Sequence, residues 1–72
     1  MQNSAASHAK VLRMKDLINT CGLSRSTIYD KMDSKSRRYD PSFPKPLKLG
    51  LSAVGWIEQD ILCWLESKKV QS

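Results

Sequence analysis

Three prolines, at positions 41, 44 and 46, constrain the fold of this 72-residue chain more than any other feature. Proline has no backbone N–H and disrupts helix interiors and central strands. The stretch "DSKSRRYDPSFPKP", residues 33–46, is therefore expected to be loop or extended chain. Any helices must therefore lie before or after this stretch. So short a chain can build only one small core. A substrate pocket sealed from water is not expected.

Apolar residues before this stretch repeat at the period of a helix. They stand at relative positions zero, three, four and seven, which line one helical face: Met14, Leu17, Ile18 and Cys21. The pattern predicts a helix of about two turns that starts at Lys15. Gly22 is expected to end it, because glycine accepts the left-handed backbone of a helix C-terminal cap.

A second short helix is expected directly after the glycine. Ser24 stands where an N-cap belongs, since its hydroxyl can accept a hydrogen bond from an exposed backbone N–H group. Leu23, Ile28 and Met32 form the inward side of this helix, which runs to Met32. Two short helices joined by a glycine turn fit a helix-turn-helix or an ordinary helical hairpin, and the spacing favours neither.

Strands and a third helix are predicted in the second half of the chain. "PLKLG" and "AVGWI" fit two strands joined by a turn near residues 50–52, with Gly55 marking a bulge or a close backbone approach. "VLRM", residues 11–14, fits an edge strand or the lead-in to the first helix. A helix from Glu58 to Lys69 is expected because four apolar residues repeat at helical spacing: Ile57, Ile61, Trp64 and Leu65. The expected core comprises Leu17, Ile28, Trp56, Leu62 and Trp64.

Positive charge is concentrated in the first two thirds of the chain. Residues 10–48 hold ten lysines and arginines against four aspartates, whereas residues 49–72 hold two lysines against three acidic residues. Scattered surface charge is the ordinary alternative, but segregation in so small a domain favours a polyanionic partner, with nucleic acid as the first candidate. An acidic membrane face fits less well, since no long amphipathic helix carries a basic polar face.

The sequence offers little for catalysis or metal binding. The one histidine lies in the polar tail, and no carboxylate pair shares a convincing site. Cys21 and Cys63 are expected to be small buried hydrophobes and not zinc ligands. Three acidic residues alternate with basic ones and are expected to be solvated surface charge: Asp30, Asp33 and Asp40. We expect no enzyme, no cofactor, no metal and no small-molecule ligand.

The domain is expected to span residues 11–69, between a disordered tail at 1–10 and a disordered end at 70–72. The longest apolar run is "ILCWL", far short of the roughly 20 residues that cross a bilayer. The N-terminus also lacks the basic start and apolar middle of a signal peptide. The expected location is the cytoplasm, without membrane contact.

The polar first turn of the second helix favours DNA recognition. In the major groove, small hydroxyl side chains allow close approach, and arginine can donate two hydrogen bonds to guanine. Arg25 is the first candidate for a base contact, followed by Ser26 and Tyr29, whereas Thr27 and Lys31 are expected on phosphates. The alternative for each is an ordinary solvent-exposed helix residue.

The loop and the predicted hairpin supply further candidates. A basic hairpin beside a recognition helix forms a wing, which grips the DNA backbone or the minor groove next to the helix site. Such residues set affinity more than sequence choice, and the candidates are Lys35, Arg37, Arg38, Lys45, Lys48 and Ser52. A basic loop without DNA contacts is the alternative.

Four motifs occur in order between Leu12 and Lys68: "LSRSTIYDKM", "FPKPLKLG", "AVGW" and "WLESK". Together they resemble the AlpA-like family of small prophage transcriptional regulators. The resemblance implies an α+β, mostly helical, winged helix-turn-helix domain related to excisionases and to MerR-type DNA-binding domains. Its parts would be two short helices, a β-hairpin wing and a C-terminal helix.

The resemblance also implies double-stranded DNA as partner and regulation of integrase or other prophage genes. The recognition helix would be Ser24 to Met32, with Arg25, Ser26, Thr27 and Tyr29 facing DNA, and the wing would lie around Lys48 to Ala53. One departure is "DSKSRRYDPS", which is longer than the Gly-containing turn that many members place before "FP". Whether its Arg37 and Arg38 touch DNA is left open.

Two rival functions accompany this interpretation. An excisionase-like architectural factor, which bends DNA and assists a recombinase or integrase, needs the same DNA-facing residues, and self-association on DNA fits either role. A protein-binding inhibitor module needs an exposed apolar patch instead, for which Phe43 and Leu51 are the candidates.

Overall fold

The computed structural model describes residues 10–70, and these form three helices and three short strands. In chain order the elements are β1 (Val11–Leu12), α1 (Met14–Cys21), α2 (Arg25–Met32), β2 (Leu47–Lys48), β3 (Val54–Ile57) and α3 (Glu58–Val70). This is the predicted α+β, mostly helical, winged helix-turn-helix arrangement. Of the predicted tails at 1–10 and 70–72, residues 1–9 and 71–72 lie outside the described residues.

Helix α1 starts and ends where the local chemistry requires. At its start, the Asp16 carboxylate accepts a hydrogen bond from the backbone N–H of Arg13 at 3.1 Å. At its end, Gly22 has φ of 69° and donates its N–H to the carbonyl of Ile18 at 2.8 Å. The left-handed backbone at this position favours glycine, so the predicted helix end at Gly22 is confirmed.

A three-stranded antiparallel sheet has the order β1-β3-β2. Strand β1 pairs Leu12 with Trp56, so "VLRM" begins as an edge strand. Strands β2 and β3 form the predicted hairpin. Gly55 is a place of close approach, because a Cβ atom there would lie 2.5 Å from Cγ1 of Val11 and 3.1 Å from the carbonyl oxygen of Leu12.

One small core joins the sheet to all three helices. Its buried members are Leu12, Leu17, Ile28, Phe43, Trp56, Ile61 and Trp64. The prediction that Leu62 belongs to the core is wrong, since Leu62 is 43% exposed. Each residue advances about 100° around a helix, so with Ile61 and Trp64 turned inward, Leu62 falls on the solvent side.

Phe43 and Cys63 also differ from prediction. Phe43 was a candidate for an exposed patch, but it is buried, with its ring 4.9 Å from that of Trp64 at 82°, an edge-to-face contact. Cys63 is exposed and not a buried hydrophobe, because it lies on the outer side of α3. Cys21 is half-buried, and this burial raises the pKa of its thiol.

Asp40 is not the solvated charge that the sequence suggested. One carboxylate oxygen accepts a hydrogen bond from the indole N–H of Trp64 at 3.1 Å and lies 2.9 Å from the ammonium of Lys68. The other accepts hydrogen bonds from the backbone N–H and the hydroxyl of Ser42. These contacts, the Ser42 hydroxyl foremost, hold the pKa of Asp40 well below its usual range. The sequence pattern could not show these contacts, because Trp64 and Lys68 are distant from Asp40 in the chain.

Candidate nucleic-acid interface

The polar residues at the start of α2 form two groups, of which the first stabilises the end of the helix. The hydroxyl of Ser24 accepts a hydrogen bond from the N–H of Thr27 at 3.2 Å, which confirms Ser24 as the N-cap. The same hydroxyl donates to Oγ1 of Thr27 at 2.9 Å. Ser24 and Thr27 therefore stabilise the helix start, whether or not they also contact a ligand.

Three other polar residues near this end of α2 are exposed, although the Ser26 hydroxyl lies 3.3 Å from the Ser24 hydroxyl. They are Arg25, Ser26 and Tyr29, while Ile28 between them is fully buried in the core. Residues four apart lie on the same side of a helix, so Arg25 and Tyr29 stand one above the other, with Ser26 beside them. We call these three residues the reading face.

Lys31 lies apart from the reading face. It is half-buried near the end of α2, and its ammonium nitrogen lies 5.4 Å from the ring centroid of Trp64. Six positions separate it from Arg25, which places the two on different sides of the helix. Lys31 therefore lies beside Trp64 at the edge of the core and next to the loop that contains Asp40.

The long loop folds back onto α2. The N–H of Asp40 donates to the carbonyl of Lys31 at 3.0 Å, and the Arg38 guanidinium lies 3.6 Å from the Asp30 carboxylate. Arg38 thereby offsets a negative charge that phosphates would repel. Lys35 and Arg37 are exposed on the outer part of the loop.

The wing comprises β2, β3 and the loop at 49–53 between them. The N–H of Leu49 donates to the carbonyl of Ala53 at 2.8 Å and closes this loop. Side chains alternate between the two faces of a strand, so Lys48 and its pairing partner Val54 share the face of buried Trp56. That face packs on the helices, so Lys48 is directed to the helical side of the sheet. Lys45 and Ser52 are exposed near the base and the tip of the wing.

Arg13 is a candidate that sequence reasoning missed. Its side-chain Nε donates to the carbonyl of Val54 at 2.9 Å, which ties the start of α1 to the wing. The residue is exposed, so its positive charge lies between the helix-turn-helix and the wing. No local pattern could reveal this contact, since its two residues are 41 positions apart.

Residues 10–70 contain no group of three His, Cys, Asp or Glu side chains that could hold a metal ion. None of the helices in this range is long and apolar enough to cross a membrane.

Comparisons with known proteins match the chain to a family model and to two relatives. The family model described as prophage CP4-57 regulatory protein (AlpA) matches residues 10–69. A protein of Escherichia coli (strain K12) described as DNA-binding transcriptional activator AlpA is 44% identical over 68 residues, or 94% of each chain. The uncharacterized protein ORF88 of Enterobacteria phage P4 is 30% identical over 59 residues, covering 82% of this chain and 60% of that protein. No solved structure matches significantly. Because the family match covers nearly all of the folded domain, the chain belongs to the AlpA family of prophage regulatory proteins.

Proposed function

We propose that this protein is a sequence-specific DNA-binding regulator of transcription in a prophage or similar mobile element. Helix α2 enters the major groove with its reading face, and the wing contacts the flanking backbone. The observation that carries the proposal is the exposed trio of Arg25, Ser26 and Tyr29 on a capped helix that is anchored in the core by fully buried Ile28. The relative described as a DNA-binding transcriptional activator supports the same function.

The proposal assigns a distinct role to each group of residues. Arg25 contacts a base, with Ser26 and Tyr29 beside it, because arginine can donate two hydrogen bonds to guanine. Ser24 and Thr27 hold the helix start and offer hydroxyls to a phosphate. The remaining phosphate contacts come from Lys31 of α2 and from the residues of the loop and wing: Lys35, Arg37, Arg38, Lys45, Lys48 and Ser52. Arg13 joins them as a further cation at the base of the wing.

The proposal needs no catalytic residue, cofactor or metal, and it places the protein with DNA in the cytoplasm. A recombinase partner and self-association on DNA stay predictions. The alternative function as a protein-binding inhibitor needs an exposed apolar patch, and one of the two residues proposed for that patch, Phe43, is buried in the core.

Salt dependence of DNA binding tests the proposal. With seven lysines and arginines assigned to phosphates, log affinity should fall against log salt with a slope of about −6. Fluorescence anisotropy with a mixed pool of duplexes measures this slope, and site selection from random DNA then identifies the preferred sequence. Lack of measurable binding to DNA at low salt would contradict the proposal.

A further inference from the structure

The tip of the wing carries a leucine that nothing covers. Leu51 is 100% exposed, whereas the other large apolar side chains in residues 10–69 reach at most 52%, at Tyr29. The hydrogen bond between Leu49 and Ala53 closes the loop around it. Its neighbours are Gly50, which has only a hydrogen atom as side chain, and Ser52, which has a small one. Leu51 is therefore the one large side chain in the turn at residues 50–52.

The other two leucines of the hairpin have a structural role that Leu51 lacks. Leu47 and Leu49 are 40% and 46% exposed and lie on the sheet face opposite the helices. Leu49 reaches over Gly55, since its Cδ1 lies 3.0 Å from where a Cβ of Gly55 would stand. Leu51 lies beyond the last strand pair and has no such partner.

The charge around the tip identifies the class of partner. Residues 41–57 contain Lys45 and Lys48 and no acidic residue, so the whole wing is positive. A second copy of this chain offers this surface a net charge of +5, whereas a nucleic acid offers one negative charge per phosphate. The positive wing attracts a polyanion. Lys48 is directed to the side of the sheet on which the helices lie, so Lys48 and α2 can contact the same polyanion.

We propose that Leu51 is an apolar wedge that enters the minor groove beside the site of α2, partly unstacks one base step and bends the DNA. This inference rests on the proposed function. Minor-groove proteins insert such side chains between base pairs and kink the duplex by about 20 to 90°. Pyrimidine–purine steps such as TA and CA unstack most easily, so the protein prefers one of them at the wing without a hydrogen bond to it.

The test uses the full chain and the duplex selected from random DNA, with dyes at both ends to report bending by energy transfer. The wild-type protein bends this duplex, Leu51→Ala removes more than half of the bend and lowers affinity by less than tenfold, and Leu51→Met retains the bend. Leu62→Ala is the matched control, because it shortens an exposed leucine on α3 and should leave both measurements unchanged. With 2-aminopurine at the step beside the wing, fluorescence rises with the wild-type protein and not with Leu51→Ala.

Four outcomes would overturn the wedge. Equal bends with the wild-type protein and Leu51→Ala, or a straight duplex with the wild-type protein, would refute it while DNA binding and the proposed function stand. Loss of cooperative binding with an unchanged bend would show that Leu51 contacts a second copy instead. Absence of any DNA binding by the wild-type protein would refute the proposed function together with the wedge.

Discussion

Arg25 and Ser24 are neighbours in the chain, yet their side chains serve different ends. Ser24 bonds to the N–H and the hydroxyl of Thr27, whereas Arg25 is exposed with no partner among the hydrogen bonds and ion pairs of residues 10–70. An exposed arginine side chain loses rotamer freedom when it meets a guanine edge, but its planar guanidinium can donate two hydrogen bonds in return. The residues that recognise the base sequence should therefore be distinct from those that set the general affinity for DNA.

Replacing Arg25 and Lys48 should separate them. Arg25→Ala should cost about 1 to 3 kcal/mol on the selected site and relax base preference at one position. Lys48→Ala should weaken binding to all sequences about equally and lower the salt slope by about 1, because it removes a phosphate contact. Anisotropy titrations with the selected site and its single-base variants measure both effects. Identical behaviour of the two variants would contradict this division.

Gly55 is constrained by side-chain and backbone atoms of β1. A Cβ atom added there would lie 2.5 Å from Cγ1 of Val11 and 3.1 Å from the backbone oxygen of Leu12. The Val11 side chain can turn away, but the backbone of β1 must shift, so Gly55→Ala should lower the free energy of unfolding by about 1 to 3 kcal/mol.

Gly50 offers the matched control for this change. Its added Cβ would meet only Cβ of Ala53, at 4.0 Å. Gly50→Ala should therefore change the free energy of unfolding by less than about 0.5 kcal/mol, or raise it slightly through the unfolded state. Urea denaturation followed by tryptophan fluorescence compares the two variants, and equal stability would show that Gly55 is not a close-packed position.

At the scale of elements, short helices depend on their ends. Helix α2 has eight residues, too few to be stable in isolation, so its cap and its buried Ile28 must hold it in place. These end signals are local, which is why the sequence predicted Gly22 as the stop of α1 and Ser24 as the start of α2. The wing was equally predictable from alternation around Gly50.

Removing the cap should loosen the recognition helix. Ser24→Ala takes away the acceptor for the Thr27 N–H and should lower the free energy of unfolding by about 1 kcal/mol. Ser34→Ala changes an exposed loop serine and should have an effect below about 0.5 kcal/mol. Urea denaturation measures both variants, and a Ser24→Ala variant as stable as Ser34→Ala would show that the cap contributes nothing.

At the scale of the whole molecule, Asp40 connects the long loop to the last helix. Its carboxylate joins Trp64 and Lys68 of α3 to the loop that folds back on α2. The core aromatic pair of Phe43 and Trp64 lies beside this junction. The loop that looked like an insertion therefore closes one side of the core.

Acid should weaken this junction. The folded protein holds the pKa of Asp40 well below its usual range, chiefly through the Ser42 hydroxyl. The stabilisation is fully present above the unfolded pKa of about 3.9 and is lost as pH falls through the lower folded value. Asp40→Asn should lower the free energy of unfolding by about 1 to 3 kcal/mol at pH 7. The gap between variant and wild type should narrow below about pH 4.

Denaturation between pH 7 and pH 2 measures this gap. Glu66→Gln is the control, because Glu66 forms an exposed ion pair with Lys69 at 3.4 Å. That variant should differ from the wild type by less than about 1 kcal/mol at pH 7. A constant gap for Asp40→Asn down to pH 2 would mean that the Asp40 carboxylate does not carry the stabilisation.

The sequence by itself determined the helix ends, the hairpin, the family and the polar turn of α2, because caps, turns and periodicity depend on residues only a few positions apart. The tertiary structure decided which side chains face solvent and which meet across the chain. It buried Phe43, exposed Leu62 and Cys63, and joined Arg13 to Val54, since such contacts depend on how distant segments pack. It also turned Asp40 from an apparent surface charge into a junction between the loop and α3.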